Sequence, residues 1–397
     1  MGKVFVVGTA DTKAAEIAYV ADLLCAVIPA VGVIDLGTRR PDMAPDITAA
    51  AVAASHPDGP GFLQWGDRGQ VVAAMGLAFA HWCAASAAGV DGIIGLGGGG
   101  GTAMICAGMR TLPLGVPKVM VSTLASGDVA PYIDISDIIM VPAVTDLAGL
   151  NRVSRIILHN AAQALIGMMT TRPDAQTNAK SAIGLTMFGV TTTAVMAIAD
   201  ALRDRFDPLV FHATGTGGRA MEALAAQGHL AGIIDITTTE IADLLVGGVL
   251  ACAPTRLDVV AQTGLPWVGS PGALDMVNFW APDTVPDRFR DRLFYHHNAN
   301  VTLMRTTPDE SARIGAWLAA KLNTCDGPVR LLIPELGVSA LDIKGGPFHD
   351  PVANAALFGA ITHGLRQTAN RRIIAVPLHI NDPAFAALAC ETFLSLI

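Results

Sequence analysis

The sequence predicts an α/β protein made of two doubly wound parallel-sheet domains facing a cleft. Short β-branched runs alternate with longer Ala- and Leu-rich segments along the whole chain, which is the pattern of parallel strands joined by crossover helices. One polar stretch, TTRPDAQTNAKS from Thr170 to Ser181, contains Pro173 and lacks apolar periodicity, so it reads as a connection between two such series. With 397 residues, 52% of them hydrophobic, and a mean hydropathy of +0.48, the chain has enough apolar material for two cores. The expected division is an N-terminal domain over 1–172, a linker over 173–181 and a C-terminal domain over 182–397.

In the first domain the strand candidates are VFVVG (4–8), VGVIDLG (31–37), GIIGLG (92–97), KVMVST (118–123) and DIIMVP (137–142). The segments between them read as helices, and a long helix follows Asp146. The second series starts at AIGLTMFGV and continues through PLVFHATGTGG, GIIDITTTE, LPWVGSPG, VTLMRTT, VRLLIPELG and RIIAVPLHIND. One helix start is sharply marked. In TPDE, Thr307 stands at the N-cap, Pro308 at the first helical position and Glu310 at the third, so side chains satisfy free amides in both directions.

The composition excludes some functions. Lys and Arg number 26 against 34 Asp and Glu, a net charge of -8, and no basic stripe is present, so nucleic acid is not an expected partner. The six cysteines are far apart, with no C-x-x-C spacing, and read as reduced core thiols. The N-terminal apolar stretch is too short for a signal peptide, and no segment reaches the roughly 18 uninterrupted apolar residues of a membrane span. The expected location is the cytoplasm, away from any membrane.

GIIGLGGGGGT, from Gly92 to Thr102, carries the main functional signal. Glycine loses more conformational entropy on ordering than any other residue, so five in a row disfavour folding unless something needs bare backbone. Between a strand and a helix, the run lies where free amides and the positive end of the helix dipole meet. An anion can be held there by backbone alone, and phosphate fits best; close helix packing remains the competing explanation. Gly95, Gly97 and Gly100 satisfy G-x-G-x-x-G, a pattern that any glycine run meets easily. The Walker pattern is nearly met, with Gly101 where Lys should stand and Thr102 last. The next strand ends VSTLASGD with no immediate carboxylate for a ribose, which disfavours NAD.

The first strand ends GTADTKAAE, offering Thr9, Asp11, Thr12 and Lys13 at a second helix start. Capping explains Asp11 and Thr12, but a cation in a first turn opposes the dipole unless an anion lies nearby. Lys13 and Lys118 both fall beside the expected site. Asp35, at the end of the second strand, is placed either to take a ribose hydroxyl or to form a turn.

Many ordered segments resemble one known family: GTADTKAAEI, GLGGGGGTA, GVPKVMVSTLASGD, TDLAGLNRVSRIILHNAA, FHATGTGGRAME, DITTTEIADLLVGGV, GALDMVNF and HINDPAFA. Together they are similar to the Tm-one-like ATP-binding protein family, which contains a plant tobamovirus-resistance protein and bacterial proteins of unassigned activity. The resemblance implies two Rossmann-like domains, ATP in the N-terminal one, and a homodimer. It assigns the nucleotide site to the turn with Thr9, Asp11, Thr12 and Lys13, to Gly97, Gly98, Gly99, Gly100, Gly101 and Thr102, and to the turn with Ser122, Thr123, Ser126, Gly127 and Asp128. Mg²⁺ would accompany ATP, held mainly by phosphate oxygens with Thr102 or Asp128. The sequence departs from the family pattern at Ala253, before Pro254, and in TTTAV, both in the second domain.

The second domain repeats the same logic in VFHATGTGGRAMEAL. His212 is followed by Gly215, Gly217, Gly218 and Arg219 at a helix start, so a substrate carboxylate or phosphate is a candidate occupant, against a turn that needs flexible backbone. Glu240 is a candidate base or ligand, while Thr237-x-x-Glu240 also matches a capping box. Asn278, Arg305 and Asp382 lie near expected strand ends as further substrate contacts. His212, Asp275, His297 and His379 are the candidate catalytic groups. No H-E-x-x-H or G-x-S-x-G motif is present, so zincin and serine hydrolase readings lack support. The expected function is ATP-dependent chemistry on a small polar or anionic metabolite at the cleft, with phosphoryl transfer fitting a site without a nucleophile motif. The alternatives are an ATP-stabilised dimeric binding module without turnover and a sugar-acid enzyme regulated by ATP.

Overall fold

A computed structural model describes residues 3–171 and 180–397, and they divide into two units, Met1–Ala175 and Gln176–Ile397. Most of the linker expected over 173–181 lies outside the described residues.

The N-terminal unit contains β1 (Lys3–Gly8), β2 (Val31–Asp35), β3 (Val90–Gly97), β4 (Lys118–Ser122) and β5 (Ile139–Pro142) in the order β2-β1-β3-β4-β5. All its strand pairs are parallel. Because successive side chains alternate across a strand, β1 serves two cores at once. Val4 and Val6 pack with Ile17, Leu24, Leu158 and Leu165 from the helices Ala14–Cys25 and Arg152–Thr170. Phe5 and Val7 pack on the opposite face with Met75, Phe79 and Ile105 from the helices Arg68–Ser86 and Gly99–Met109. Each of these large side chains, fully buried, contributes on the order of 2 kcal/mol.

This sheet order reverses direction at β1 and β3, and the connections leaving their carboxyl ends diverge to leave a crevice, the usual ligand position in an open α/β sheet. Both predicted turns, after β1 and after β3, open onto it.

The C-terminal unit contains β6 (Ala182–Met187), β7 (Asp207–His212), β8 (Ile233–Thr237), β9 (Trp267–Gly272), β10 (Met276–Phe279), β11 (Phe294–Asn298), β12 (Val301–Arg305), β13 (Val329–Pro334) and β14 (Arg371–Val376). Six of them form a parallel sheet in the order β14-β13-β9-β8-β6-β7. Ile183, Leu185, Ile234 and Leu332 face Phe385 and Phe393 on one side, while Ile233, Trp267 and Leu331 face Met221 and Leu318 on the other. β10, β12 and β11 form a separate antiparallel sheet. VTLMRTT is therefore no member of the parallel series. The helix Pro308–Leu322 begins as the sequence predicts: Thr307 Oγ1 accepts from the Glu310 amide, and the Glu310 carboxylate accepts from the Thr307 amide.

Among the described residues one helical stretch, Arg68–Gly89, is long and apolar enough to cross a membrane. Its apolar composition has a local explanation, since Val71, Met75, Phe79 and Cys83 are buried in the N-terminal core.

Candidate functional site

The crevice at β1 and β3 is a cavity of about 330 Å³. Thr9, Asp11, Thr12 and Lys13 line it from the turn after β1, Thr38 and Arg39 from beyond β2, and Gly98 to Gly101 from the start of the helix Gly99–Met109, with Arg68 from the neighbouring helix. Gly98 is the N-cap and offers no side chain, so the first amides of that helix have neither a capping group nor an intrahelical acceptor.

Steric accounting separates the glycines. A Cβ on Gly97 would lie 2.7 Å from the Thr102 amide nitrogen and 2.8 Å from the Gly101 carbonyl carbon, so close turn packing dictates glycine there. At Gly98, Gly99, Gly100 and Gly101 an added Cβ meets nothing nearer than 3.6 Å, and none of the four has positive φ. The fold itself does not need those four glycines. What they provide is unobstructed amide on the cavity wall.

The electrostatics suit an anion. Lys13, Arg39 and Arg68 face the cavity with one acid, Asp11. Lys13 Nζ donates to the Leu147 carbonyl at 2.5 Å, and Arg39 Nε stands 3.8 Å from Asp11 Oδ2. Arg68 makes no ion pair among the described residues. The Asp11 side chain is 7% exposed and its Oδ1 has no hydrogen-bond partner there, an expensive arrangement for a carboxylate oxygen. Arg39 and Arg68 escaped the sequence reading. Arg39 follows a strand end, a visible signal, but nothing local marks Arg68 as converging on a glycine turn 30 residues further on.

Other expected nucleotide contacts lie apart from the cavity. Asp35 sits beneath it, where Oδ1 accepts from the amides of Ala10 at 2.8 Å and Gly37 at 2.7 Å and so ties the β1 turn to the end of β2. Burial raises the Asp35 carboxyl above its ordinary range, those two amides oppose the rise, and nearby Asp11 adds to it. Thr102 is buried and its hydroxyl lies 2.7 Å from the Ser122 hydroxyl, which ties the helix to β4 and leaves neither group facing the cavity. The Thr123 amide bonds to the Gly97 carbonyl, and Ser126, Gly127 and Asp128 are exposed in the following turn. Asp128 Oδ1 accepts from the Ala130 amide. Lys118 belongs at the amino end of β4, away from the crevice; its buried ammonium meets Asp137 at 2.6 Å and the carbonyls of Pro113 and Val116.

The glycine turn of the second unit has the opposite character. Glu240 Oε1 accepts from the Gly215 amide at 2.6 Å and the Gly218 amide at 3.3 Å, so the chain's own carboxylate occupies the amides expected to hold a substrate anion. Added Cβ atoms would lie 1.8 Å from the His212 carbonyl oxygen at Gly217 and 2.3 Å from Glu240 Oε2 at Gly218, while Gly215 has φ +83°. Internal packing explains all three glycines. Glu240 Oε2 also accepts from Arg256, a fully buried guanidinium that pairs with Asp235 and Glu222 as well. The capping box from Thr237 does not form: the helix starts at Glu240 behind Thr239, with no side-chain cap.

Three of the remaining substrate candidates, Asn278, Arg305 and Asp382, are also structural in this arrangement. Asn278 donates to buried Asp243, whose carboxyl is pushed up to about 7 by burial. Arg305 is buried against the Phe348 carbonyl, Thr306 and Asn354. Asp382 caps the helix Pro383–Leu394, and Arg219 is half-buried in the first turn of the helix Thr216–Ala226.

The four candidate catalytic groups fall into two places. His212 and His297 line one cavity of about 570 Å³ at the ends of β6 and β7, roofed by the small antiparallel sheet. Asp275, buried, and His379, half-buried, belong to a separate cluster. Ser339 donates to Asp275 Oδ2 at 2.8 Å, and its carbonyl lies 2.9 Å from His379 Nε2. Burial pushes the Asp275 carboxyl up to about 7, Arg305 opposes this and Asp342 adds to it.

Both halves match models of one family. Residues 2–174 match the N-terminal domain and residues 180–397 the C-terminal domain of the uncharacterised protein family UPF0261. A UPF0261 protein of Mesorhizobium japonicum is 59% identical over 397 residues, taking in 100% of this chain and 99% of that protein. The ToMV susceptible protein tm-1(GCR26) of Solanum lycopersicum is 39% identical over 419 residues, 99% of this chain but 56% of the tomato protein. The ToMV resistance protein Tm-1(GCR237) of the same plant is 45% identical over 311 residues, 77% of this chain and 41% of that protein. With nearly its whole length matched by the two family domains, and with tomato Tm-1 proteins among its relatives, the chain belongs to the UPF0261 family.

Proposed function

We propose that the N-terminal unit binds ATP in the β1/β3 crevice, the triphosphate lying against the amides of Gly98 to Gly101. The observation that carries this reading is the steric one: four consecutive glycines line a cavity without any internal contact that requires glycine. Lys13, Arg39 and Arg68 supply the compensating charge, the part a Walker lysine plays elsewhere. Mg²⁺ brought with the nucleotide would neutralise phosphate charge, and Asp11, with its unpartnered oxygen, is the carboxylate placed to hold it. Thr102 and Asp128 are otherwise engaged.

Calorimetric titration with Mg-ATP tests this. Wild type should bind one equivalent, and Arg68→Ala should bind about tenfold more weakly, with a reduced salt dependence. Unchanged affinity in that variant would remove Arg68 from the site.

The enzymatic reading places a substrate in the C-terminal cavity, where His212 and His297 are the groups able to move protons. Incubation with Mg-ATP and pooled metabolites should consume nucleotide and give new masses, and His212→Ala or His297→Ala should stop turnover while leaving ATP affinity intact. The names of the two tomato relatives, for susceptibility and resistance to ToMV, favour a second reading, a nucleotide-stabilised module that binds a macromolecule without consuming ATP. Nucleotide bound stoichiometrically and recovered unchanged would select it. The homodimer belongs to both readings. Its proposed surface is the apolar groove of Val72, Gly76, Leu77, Ala103 and Ala107, and Leu77→Arg should convert a sedimenting dimer to monomer. Six free cysteines, five of them buried, support a reducing cytoplasmic setting.

A further inference from the structure

The C-terminal cavity differs in chemistry from the nucleotide crevice. Its volume of about 570 Å³ falls within the range of roughly 300–1,000 Å³ typical of small-molecule sites. Among the described residues lining it there is no Lys, Arg, Asp or Glu. A ligand with a fixed charge would lose hydration there and meet no permanently charged partner, only two imidazoles that must first take up a proton, a penalty that a neutral ligand avoids. The expectation of an anionic metabolite therefore does not suit this cavity, and the Gly215 and Gly218 amides that might have held one are taken by Glu240.

The walls offer flat apolar surface. The rings of Phe188 and His212 are stacked, with centroids 5.5 Å apart and planes 27° from parallel. Trp280, 50% exposed, faces the same space, and Val190 and Leu303 give it an aliphatic floor continuous with a small buried cluster around Phe348. Stacking on such rings adds to simple area burial when the guest is itself planar and aromatic.

Polar groups punctuate this surface. Thr214, Thr216 and Asn298 line it, and neither the His212 nor the His297 imidazole makes a hydrogen bond among the described residues, although the His212 carbonyl accepts from Thr214. His379 in the neighbouring cluster has both ring nitrogens engaged, Nε2 with the Ser339 carbonyl and Nδ1 with the Asn381 amide. The two cavity imidazoles thus keep their ring nitrogens for a guest. Several uncommitted polar groups around an apolar, aromatic space select a ring that carries hydroxyl or carbonyl groups.

We infer that this cavity is a binding site for small uncharged aromatic compounds bearing hydroxyl or carbonyl substituents. The inference is independent of nucleotide binding, so its test uses the nucleotide-free full chain. Calorimetric titration with 4-methoxyphenol should give saturable one-to-one binding. The anion 4-hydroxybenzoate, whose charge meets no Lys or Arg in the cavity, and 4-methylcyclohexanol, which cannot stack, should each bind about tenfold more weakly or worse. Val249→Trp, at a 40% exposed wall position where added bulk enters the cavity, and Trp280→Ala should each lose about tenfold in affinity, with the far-ultraviolet circular dichroism of wild type. Absence of saturable phenol binding, equal affinity for the benzoate, or full affinity in folded Val249→Trp would each overturn the inference.

Discussion

Gly99→Ala separates a ligand-binding role for the glycine run from a packing role, because the two predict opposite outcomes. The new Cβ would meet Leu124 Cδ1 at 3.6 Å, an ordinary van der Waals contact, and Gly99 has no positive φ to strain. Alanine restricts the unfolded chain and favours the helix that starts here, so the empty protein should gain about 0.5–1 kcal/mol. In a folding unit of this size that corresponds to a rise of roughly 1–4 °C in Tm. Gly99 lines the cavity, so on the binding reading the same methyl, added beside the first helix amides, should crowd a phosphate held there. Loss or lengthening of one charge-assisted hydrogen bond costs about 1.5–3 kcal/mol, or roughly 10- to 100-fold in affinity for Mg-ATP. Thermal melts without nucleotide and titration with Mg-ATP read the two effects separately. Gly97→Ala is the control: its Cβ would collide with backbone at 2.7 Å, so it should destabilise the empty protein. A Gly99→Ala protein that is more stable and binds Mg-ATP as tightly as wild type would refute the reasoning.

Two other expectations concern the C-terminal unit. Glu240→Ala removes one partner of fully buried Arg256 and the acceptor of the Gly215 and Gly218 amides, and should cost on the order of 3–5 kcal/mol in denaturant unfolding. Asp275 binds its proton more tightly folded than unfolded, between the ordinary 3.8 and about 7, so it makes stability fall as pH rises through that window, with the loss complete above it. Asp275→Asn should flatten the fall only in part, since Asp243 is also pushed up to about 7, and should stabilise the protein at pH 8 by on the order of 1–3 kcal/mol; an unchanged stability profile from pH 4 to 8 would show that Asp275 does not carry this proton.

Most of the sheet framework was legible because strands buried on both faces read as near-continuous apolar runs, as VFVVG and GIIGLG do. The Thr307 capping box was equally clear, since all its parts lie within four residues. The small antiparallel sheet was less accessible: MVNF and FYHHN are short, and local pattern does not specify which strand pairs with which. At the candidate site the Gly98–Gly101 run and the Thr9–Lys13 turn were found because each is a local signal. In sequence Glu240 reads as a candidate base or ligand, or as a capping residue, because its partner Arg256 lies 16 positions away and nothing local points to it. The two glycine turns looked alike in sequence, and only the volume around each absent side chain distinguishes them.

Glu240 gives the two halves of the chain different sensitivities. A helix start already filled by a tethered acid cannot respond to the supply of dissolved phosphate compounds, because none can match the local concentration of a group attached to the same polypeptide. On the proposed nucleotide reading, changes in the cell's energy charge should therefore register through the N-terminal half, leaving the C-terminal half free to answer a different chemical signal.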